Sequence, residues 1–165
     1  MNGKRRSYET GHRPKFMVVI DDTPECGRAI RFAARRAART GASLLMLAVA
    51  EPPESFELFG VGDAMRAEAE AEAEERLEAA AGQARAAAGV EPEQVLRVGD
   101  TSEAIATLIA EDEDVSFLVL AAAVGKEGPG PLIATIAGKG AGAFPVPIVI
   151  VPGGLPDEEI DALAG

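Results

Sequence analysis

Histidine, cysteine and two of the three aromatic residues are nearly absent from this sequence, which contains one His, one Cys, one Tyr and no Trp. A single cysteine excludes an internal disulfide and a multi-cysteine metal site. With His12 as the one imidazole, a zinc centre or a Ser-His-Asp triad is not expected either. This residue usage fits a reducing compartment, and we predict a cytoplasmic protein.

Positive charge is scarce relative to negative charge. The chain has 16 Lys and Arg against 27 Asp and Glu, a net charge of −11. Nucleic acid is therefore not an expected partner, because phosphate backbones favour clustered Lys and Arg, and no aromatic stacking surface is present. No apolar run reaches the roughly 18 residues of a membrane helix, so no membrane partner is expected.

The 165 residues are predicted to form one domain with a polar segment at each end. Residues 1–14 are basic and lack apolar periodicity, which predicts a flexible arm; docking on the acidic body is the alternative. Residues 15–153 form the predicted domain, and residues 154–165 an acidic tail. We expect that residues 1–13 can be deleted with little loss of stability.

Five apolar runs alternate with helical segments. The runs are unbroken rather than alternating with polar residues, which predicts strands buried on both faces of a parallel sheet. The fold class is therefore α/β, a three-layer Rossmann-like sandwich with helices on both faces. The predicted strands are residues 16–20, 43–49, 94–98, 117–124 and 147–151.

The first predicted helix follows directly on the first strand. Thr23 is expected to cap it, with Pro24 at its first position. One helix face carries a stripe of arginines, which predicts a solvated face or pairing with the Glu-rich helix at residues 63–88. The stripe comprises Arg28, Arg31, Arg35 and Arg39.

A glycine loop follows the fourth strand and precedes a helix that starts at Pro131. Gly125, Gly128 and Gly130 allow backbone N–H groups to converge on an anion, most plausibly phosphate, although glycines after a strand are also ordinary turn residues. Ligands of parallel sheets bind beyond the carboxyl ends of the strands. Asp21 and Asp22, which end the first strand, are expected to flank the same crevice.

The last strand is predicted to be a sheet edge. Pro147 and Pro152 bound an apolar run, and an apolar edge left bare would aggregate. We therefore predict a homodimer that pairs residues 147–152 with their two-fold mates. Residues 54–62 contain Phe56, Leu58 and Phe59 and are predicted to cap a cleft or pack on a partner.

Between residues 15 and 153 the sequence resembles the universal stress protein family. The resemblance rests on the ends of the first two strands, on the junction of residues 98–105 and on the last strand. Gly125, Gly128 and Gly138 reproduce the family's phosphate motif, G-x2-G-x9-G. Residue 139 is Lys where the family has Ser or Thr, and Ala122 stands where a glycine usually follows the fourth strand.

This resemblance implies strand order 3-2-1-4-5 and a small stress-response module. It also implies a site for ATP or another adenine nucleotide with Mg²⁺, which Asp21 would contact through the nucleotide, and at most weak ATP hydrolysis. Lys139 either replaces the hydroxyl contact by a charge contact or marks a member without nucleotide binding. The implied site residues are Asp21, Asp22, Val49, Ala122, Gly125, Lys126, Gly128, Gly130, Gly138 and Lys139.

Other functions are compatible with parts of the sequence. A family member could act through dimerisation and protein partners alone, without a nucleotide. An enzyme that handles nucleotides in the same crevice is a further alternative, although no paired base lines the expected cleft. A receiver-type signalling domain is disfavoured, because the third strand ends Arg97-Val98-Gly99 and lacks the required aspartate. Flavin binding is disfavoured by the shortage of aromatic residues.

Overall fold

A computed structural model of the chain describes residues 4–52 and 62–165. The predicted capping segment at residues 54–62 therefore lies outside the described residues, except for Gly62, which begins a helix. The elements are β1 (Lys15–Ile20), α1 (Cys26–Thr40), β2 (Ser43–Ala50), α2 (Gly62–Ala88), β3 (Glu93–Val98), α3 (Thr101–Glu111), β4 (Val115–Ala122), α4 (Pro131–Ile136), β5 (Ile148–Pro152) and α5 (Asp157–Ala164).

The five strands form one parallel sheet in the order β3-β2-β1-β4-β5. The predicted fold class and strand order are thus confirmed. Helices α1, α2 and α5 pack on one face of the sheet, and α3 and α4 pack on the other. This arrangement explains why the apolar runs are unbroken. Helices cover both faces of β1 and β2, so side chains pointing to either face are buried. In the described part of the chain, no helix is long and apolar enough to cross a bilayer.

Helices α1 and α3 differ in how their N-termini are capped. As its sequence suggests, α3 is capped by Asp100, whose carboxylate accepts a hydrogen bond from Glu103 N at 3.0 Å. Helix α1 begins at Cys26 and not at Pro24, and it has no side-chain cap. The expected cap at Thr23 is wrong because Asp21 Oδ1 accepts hydrogen bonds from both Thr23 N and Thr23 Oγ1, at 3.0 and 2.5 Å. These bonds fold the segment before the helix into a turn.

Strand β4 ends two residues earlier than predicted. Ala122 is its last residue, and the carbonyl oxygen of Ala122 accepts a hydrogen bond from Gly153 N at 2.8 Å. Ala123 N then leaves the sheet and donates to Pro129 O at 2.9 Å. Ala123 and Val124 therefore belong to the glycine loop, which this hydrogen bond closes.

Residues 4–14 contact the domain beside the acidic turn that precedes β4. Arg6 N donates to Glu113 O at 2.9 Å, and Arg5 Nη1 donates to Asp112 O at 2.9 Å. His12 Nδ1 lies 2.7 Å from Asp114 Oδ1, and Ser7 is buried. These contacts favour the docked alternative over a flexible arm, because the basic segment meets the carboxylates and carbonyl groups of this turn.

Deletion of residues 1–13 tests this docking. Three lost hydrogen bonds, each contributing about 0.5–1.5 kcal/mol, should lower the midpoint of thermal unfolding by roughly 3–18 °C. Circular dichroism of the deleted and full-length proteins provides the measurement. A midpoint within about 2 °C of the full-length value would instead support the flexible arm.

The acidic residues after β5 form helix α5, which packs on α1. Arg31 Nε and Nη2 donate to the two carboxylate oxygens of Asp161, each at 2.7 Å. Arg35 Nε lies 3.1 Å from the same carboxylate. The arginine stripe is thus partly neutralised by α5, and its expected pairing with glutamates of α2 is not seen among the described ion pairs. The predicted tail therefore contacts the body of the domain.

Candidate functional site

A crevice of about 530 Å³ opens at the carboxyl ends of β1 and β2. Asp21, Asp22 and Val49 line it, so the structure brings these three predicted site residues together. Its apolar walls include Val19, and Leu132 lies on the wall contributed by α4. This combination suits a flat apolar ring system linked to a group that offers hydroxyl donors.

The crevice is acidic. Among the described residues, five carboxylates and a single cation, a guanidinium from α2, line it, so a phosphate group placed here would be repelled. The described residues contain no group of three His, Cys, Asp or Glu side chains that could hold a metal ion. Direct coordination of Mg²⁺ by the protein is therefore not indicated there. The charged residues are Asp21, Asp22, Glu51, Glu72, Asp100 and Arg76.

The glycine loop, residues 123–130, lines a second and wider concavity of about 1000 Å³. Gly125, Gly128 and Gly130 adopt φ values of 130°, 93° and 110°, a backbone region that side chains disfavour, so glycine is required. Lys126 lies on the same loop and is exposed. The structure therefore brings four predicted site residues together around this concavity.

The loop offers unused hydrogen-bond donors. Residues 126–127 form a turn, but no backbone N–H between Val124 and Gly130 makes a well-formed hydrogen bond to a protein acceptor among the described residues. Successive free N–H groups in such a loop form a concavity for an anion. Arg28 of α1 lines the same concavity, and its buried Nε has no hydrogen-bond partner in the described structure.

A narrow cavity of about 70 Å³, called the connecting cavity below, shares lining residues with each of the two concavities, and the three together are called the groove. Asp21 lines both this cavity and the crevice, and Gly130 lines both this cavity and the glycine-loop concavity. Cys26 lies on its wall and donates to Val19 O at 3.6 Å. Burial raises the pKa of this thiol to about 12, so Cys26 is a protonated, apolar part of the wall rather than a nucleophile.

Three predicted residues lie apart from this groove. Ala122, Gly138 and Lys139 are absent from the linings of the crevice, the connecting cavity and the glycine-loop concavity. Ala122 is the end of β4. Helix α4 and Ala137 separate Gly130 from Gly138 along the chain. Lys139 is exposed at the far end of that helix.

Several lining residues lie outside the set that the sequence predicts. Thr101 follows β3, so its position at the carboxyl edge of the sheet can be inferred from topology. Its N–H and hydroxyl both donate to Glu51 Oε1, at 2.8 and 2.6 Å. Arg28 and Arg76 give no comparable signal, because arginines on a polar helix face are usually solvated.

The fold is similar to that of solved structures named as universal stress proteins. One is a universal stress protein from Archaeoglobus fulgidus, with a TM-score of 0.63, 20% identity and coverage of 84% of this chain and 93% of that chain. The Archaeoglobus fulgidus protein in complex with dAMP has a TM-score of 0.60, 21% identity and coverage of 84% and 97%. A universal stress protein in complex with cAMP has a TM-score of 0.57, 21% identity and coverage of 85% and 97%.

No curated protein matches this chain. The model of the Universal stress protein family matches residues 12–152. These include all five strands of the sheet, the whole lining of the crevice, and the lining of the glycine-loop concavity except Gly153. The chain therefore belongs to the universal stress protein family.

Proposed function

We propose that this protein binds ATP or another adenine nucleotide weakly, with Mg²⁺, as a regulatory module of the stress response and not primarily as an enzyme. The observation that carries the proposal is the glycine loop with its free N–H groups between Arg28 and Lys126. This concavity adjoins a crevice of suitable size for a nucleoside. The cAMP and dAMP complexes of structural neighbours support the choice of an adenine nucleotide.

The charges on the two concavities determine the direction of the bound nucleotide. Carboxylates dominate the crevice, which favours the ribose hydroxyls there and disfavours phosphate. In the glycine-loop concavity, Arg28 and Lys126 offset Glu25 and Glu127, and the free N–H groups add donors. We place the nucleoside beside Asp21 and Val49, and the phosphates at residues 125–130.

The residues present fit this ligand in part. Asp21 Oδ2 accepts no hydrogen bond within the described chain, although Oδ1 accepts two from Thr23. The Oδ2 atom of Asp21 therefore remains available to a ribose hydroxyl. Mg²⁺ would reduce the repulsion between the phosphates and the protein's charge of −11. Lys139 lies beyond the end of α4 and lines none of the three concavities, so the phosphate contacts proposed here do not include it.

Calorimetric titration of the protein with ATP in excess Mg²⁺ tests the proposal. We expect one site with a dissociation constant between about 10 μM and 1 mM, which corresponds to roughly −7 to −4 kcal/mol. The affinity should fall when Mg²⁺ is removed, because the phosphates then keep their full charge. No heat of binding at millimolar ATP with Mg²⁺ would reject the proposal.

A second candidate function is a module that acts through dimerisation and protein partners alone. It is favoured by the position of Gly138 and Lys139 outside the groove and by the edge strand β5. This strand pairs with β4 on one side only, and Ile150 is 42% exposed. We propose that β5 pairs with its two-fold mate in a homodimer, which would cover this apolar edge.

Ile150→Lys is the variant that tests the dimer. Ile148 is less suitable, because it packs against the core cluster on the α3 and α4 face. We expect light scattering to give a dimer for the wild type at tens of micromolar and a monomer for Ile150→Lys, since two lysines would face each other across the interface. A monomeric wild type would rule out this interface.

A further inference from the structure

The arginine stripe of α1 divides into two parts with different surroundings. Arg31 and Arg35 lie against Asp161 of α5. Arg28, one turn nearer the start of the helix, forms no ion pair or side-chain hydrogen bond with any described residue. The stripe is therefore unpaired where it reaches the carboxyl edge of the sheet.

The surroundings of Arg28 indicate an anionic ligand. Its Nε is buried without an acceptor among the described residues, but the side chain as a whole is only partly buried, so the guanidinium keeps donors that no described residue satisfies and that a ligand could use. Glu25 and Glu127 line the same concavity, but neither forms an ion pair with Arg28 or Lys126 among the described contacts. A planar guanidinium beside free backbone N–H groups suits bidentate recognition of phosphate.

The position of Arg28 within the groove decides which phosphate it would contact. Arg28 lines the glycine-loop concavity but neither the crevice nor the connecting cavity. Pro129 and Gly130 line the connecting cavity, so the phosphate nearest the nucleoside would lie beside them. The phosphates further from the nucleoside would extend towards Arg28.

We propose that Arg28 contacts the terminal phosphates of a bound nucleotide and makes the site selective for di- and triphosphates over monophosphates. This inference rests on the proposed function for the nucleoside part of the ligand. The family resemblance points to Lys139 for such a charge contact, but Arg28 lines the glycine-loop concavity and Lys139 does not.

The test compares the binding of ATP, ADP, AMP and inorganic tripolyphosphate, each with Mg²⁺, to four proteins. Wild type is compared with Arg28→Gln, with Arg28→Lys and with Arg39→Gln. Arg39 is an exposed arginine at the other end of the same helix, so Arg39→Gln changes the net charge equally without touching the groove. The unfolding midpoint of each variant shows whether it folds.

For Arg28→Gln we expect about a tenfold loss of affinity for ATP and tripolyphosphate and less than a twofold loss for AMP, so the preference for ATP over AMP falls. Arg28→Lys should give an intermediate loss, because an ammonium keeps the charge but not the planar fork. Arg39→Gln should leave every affinity within about twofold of wild type.

Each contrary result has a separate meaning. Equal losses for ATP and AMP, or an Arg28→Gln variant that behaves like Arg39→Gln, would overturn the role of Arg28 while nucleotide binding stands. Binding of tripolyphosphate but of no nucleotide would reject the proposed function, and the tripolyphosphate affinities of the variants would then decide the role of Arg28. If wild type binds none of the four ligands, both proposals are rejected.

Discussion

Ile160→Ala is expected to lower the free energy of unfolding by about 2–5 kcal/mol, which corresponds to several degrees or more in the unfolding midpoint. Ile160 lies on α5 and is fully buried in the core cluster on the α1 and α2 face of the sheet. Removing its side chain beyond Cβ leaves a cavity between α5 and α1, because the surrounding helices cannot collapse fully onto an alanine.

Burial, and not charge, should account for most of the stability that α5 contributes. The Arg31 hydrogen bond lowers the pKa of Asp161, but solvent screens this exposed ion pair, so its contribution to stability is small. Ile160 and Ala164 are both fully buried. Loss of either apolar contact should therefore cost more than loss of the ion pair.

Leu163→Ala is the matched control for this prediction. Leu163 lies on the same helix and is 63% exposed, so its truncation should change the free energy of unfolding by no more than about 0.5 kcal/mol. Urea unfolding followed by circular dichroism measures both variants. Equal effects of the two substitutions would show that α5 is a loosely attached tail, as its acidic sequence suggests.

The strands can be predicted from the sequence, whereas the chain ends cannot. Each strand is a continuous apolar run, and such a run between two helices of an α/β protein is typical of a parallel strand buried on both faces. Helix α5 offers only Ile160 and Ala164 as buried residues, at a spacing of four in an otherwise acidic segment. Its position depends mainly on the burial of Ile160 against α1, more than a hundred residues away along the chain, and the local sequence does not show this contact.

The candidate site is also predictable only in part from the sequence. Asp21, Val49 and the glycine loop follow directly from strand ends, since topology alone places them at one edge of the sheet. The spacing of a motif predicts Lys139, but spacing along the sequence does not show in which direction α4 leaves the loop. The sequence shows Arg28 as one member of the arginine stripe but not that it is unpaired, because its pairing depends on where the carboxylates of α5 end along α1.

Gly128→Val is expected to reduce the binding of ATP with Mg²⁺ below detection. Gly128 lies in the glycine loop at φ 93°, which a β-branched residue strongly disfavours. Valine would therefore turn the adjoining peptide groups and redirect their N–H donors away from the anion. A Cβ at this position would meet no protein atom within 4 Å, so the expected loss comes from the loop's geometry and not from a clash with the core.

Gly11→Val supplies the matched control for backbone strain. Gly11 has nearly the same conformation, φ 87°, and a Cβ there also meets no protein atom within 4 Å, but it lies in the N-terminal segment and not in the groove. Both variants should lose a similar amount of stability, while only Gly128→Val loses the calorimetric signal of ATP. If the two variants bind ATP as tightly as wild type, the phosphates do not depend on the glycine loop, and the orientation proposed for the nucleotide is wrong.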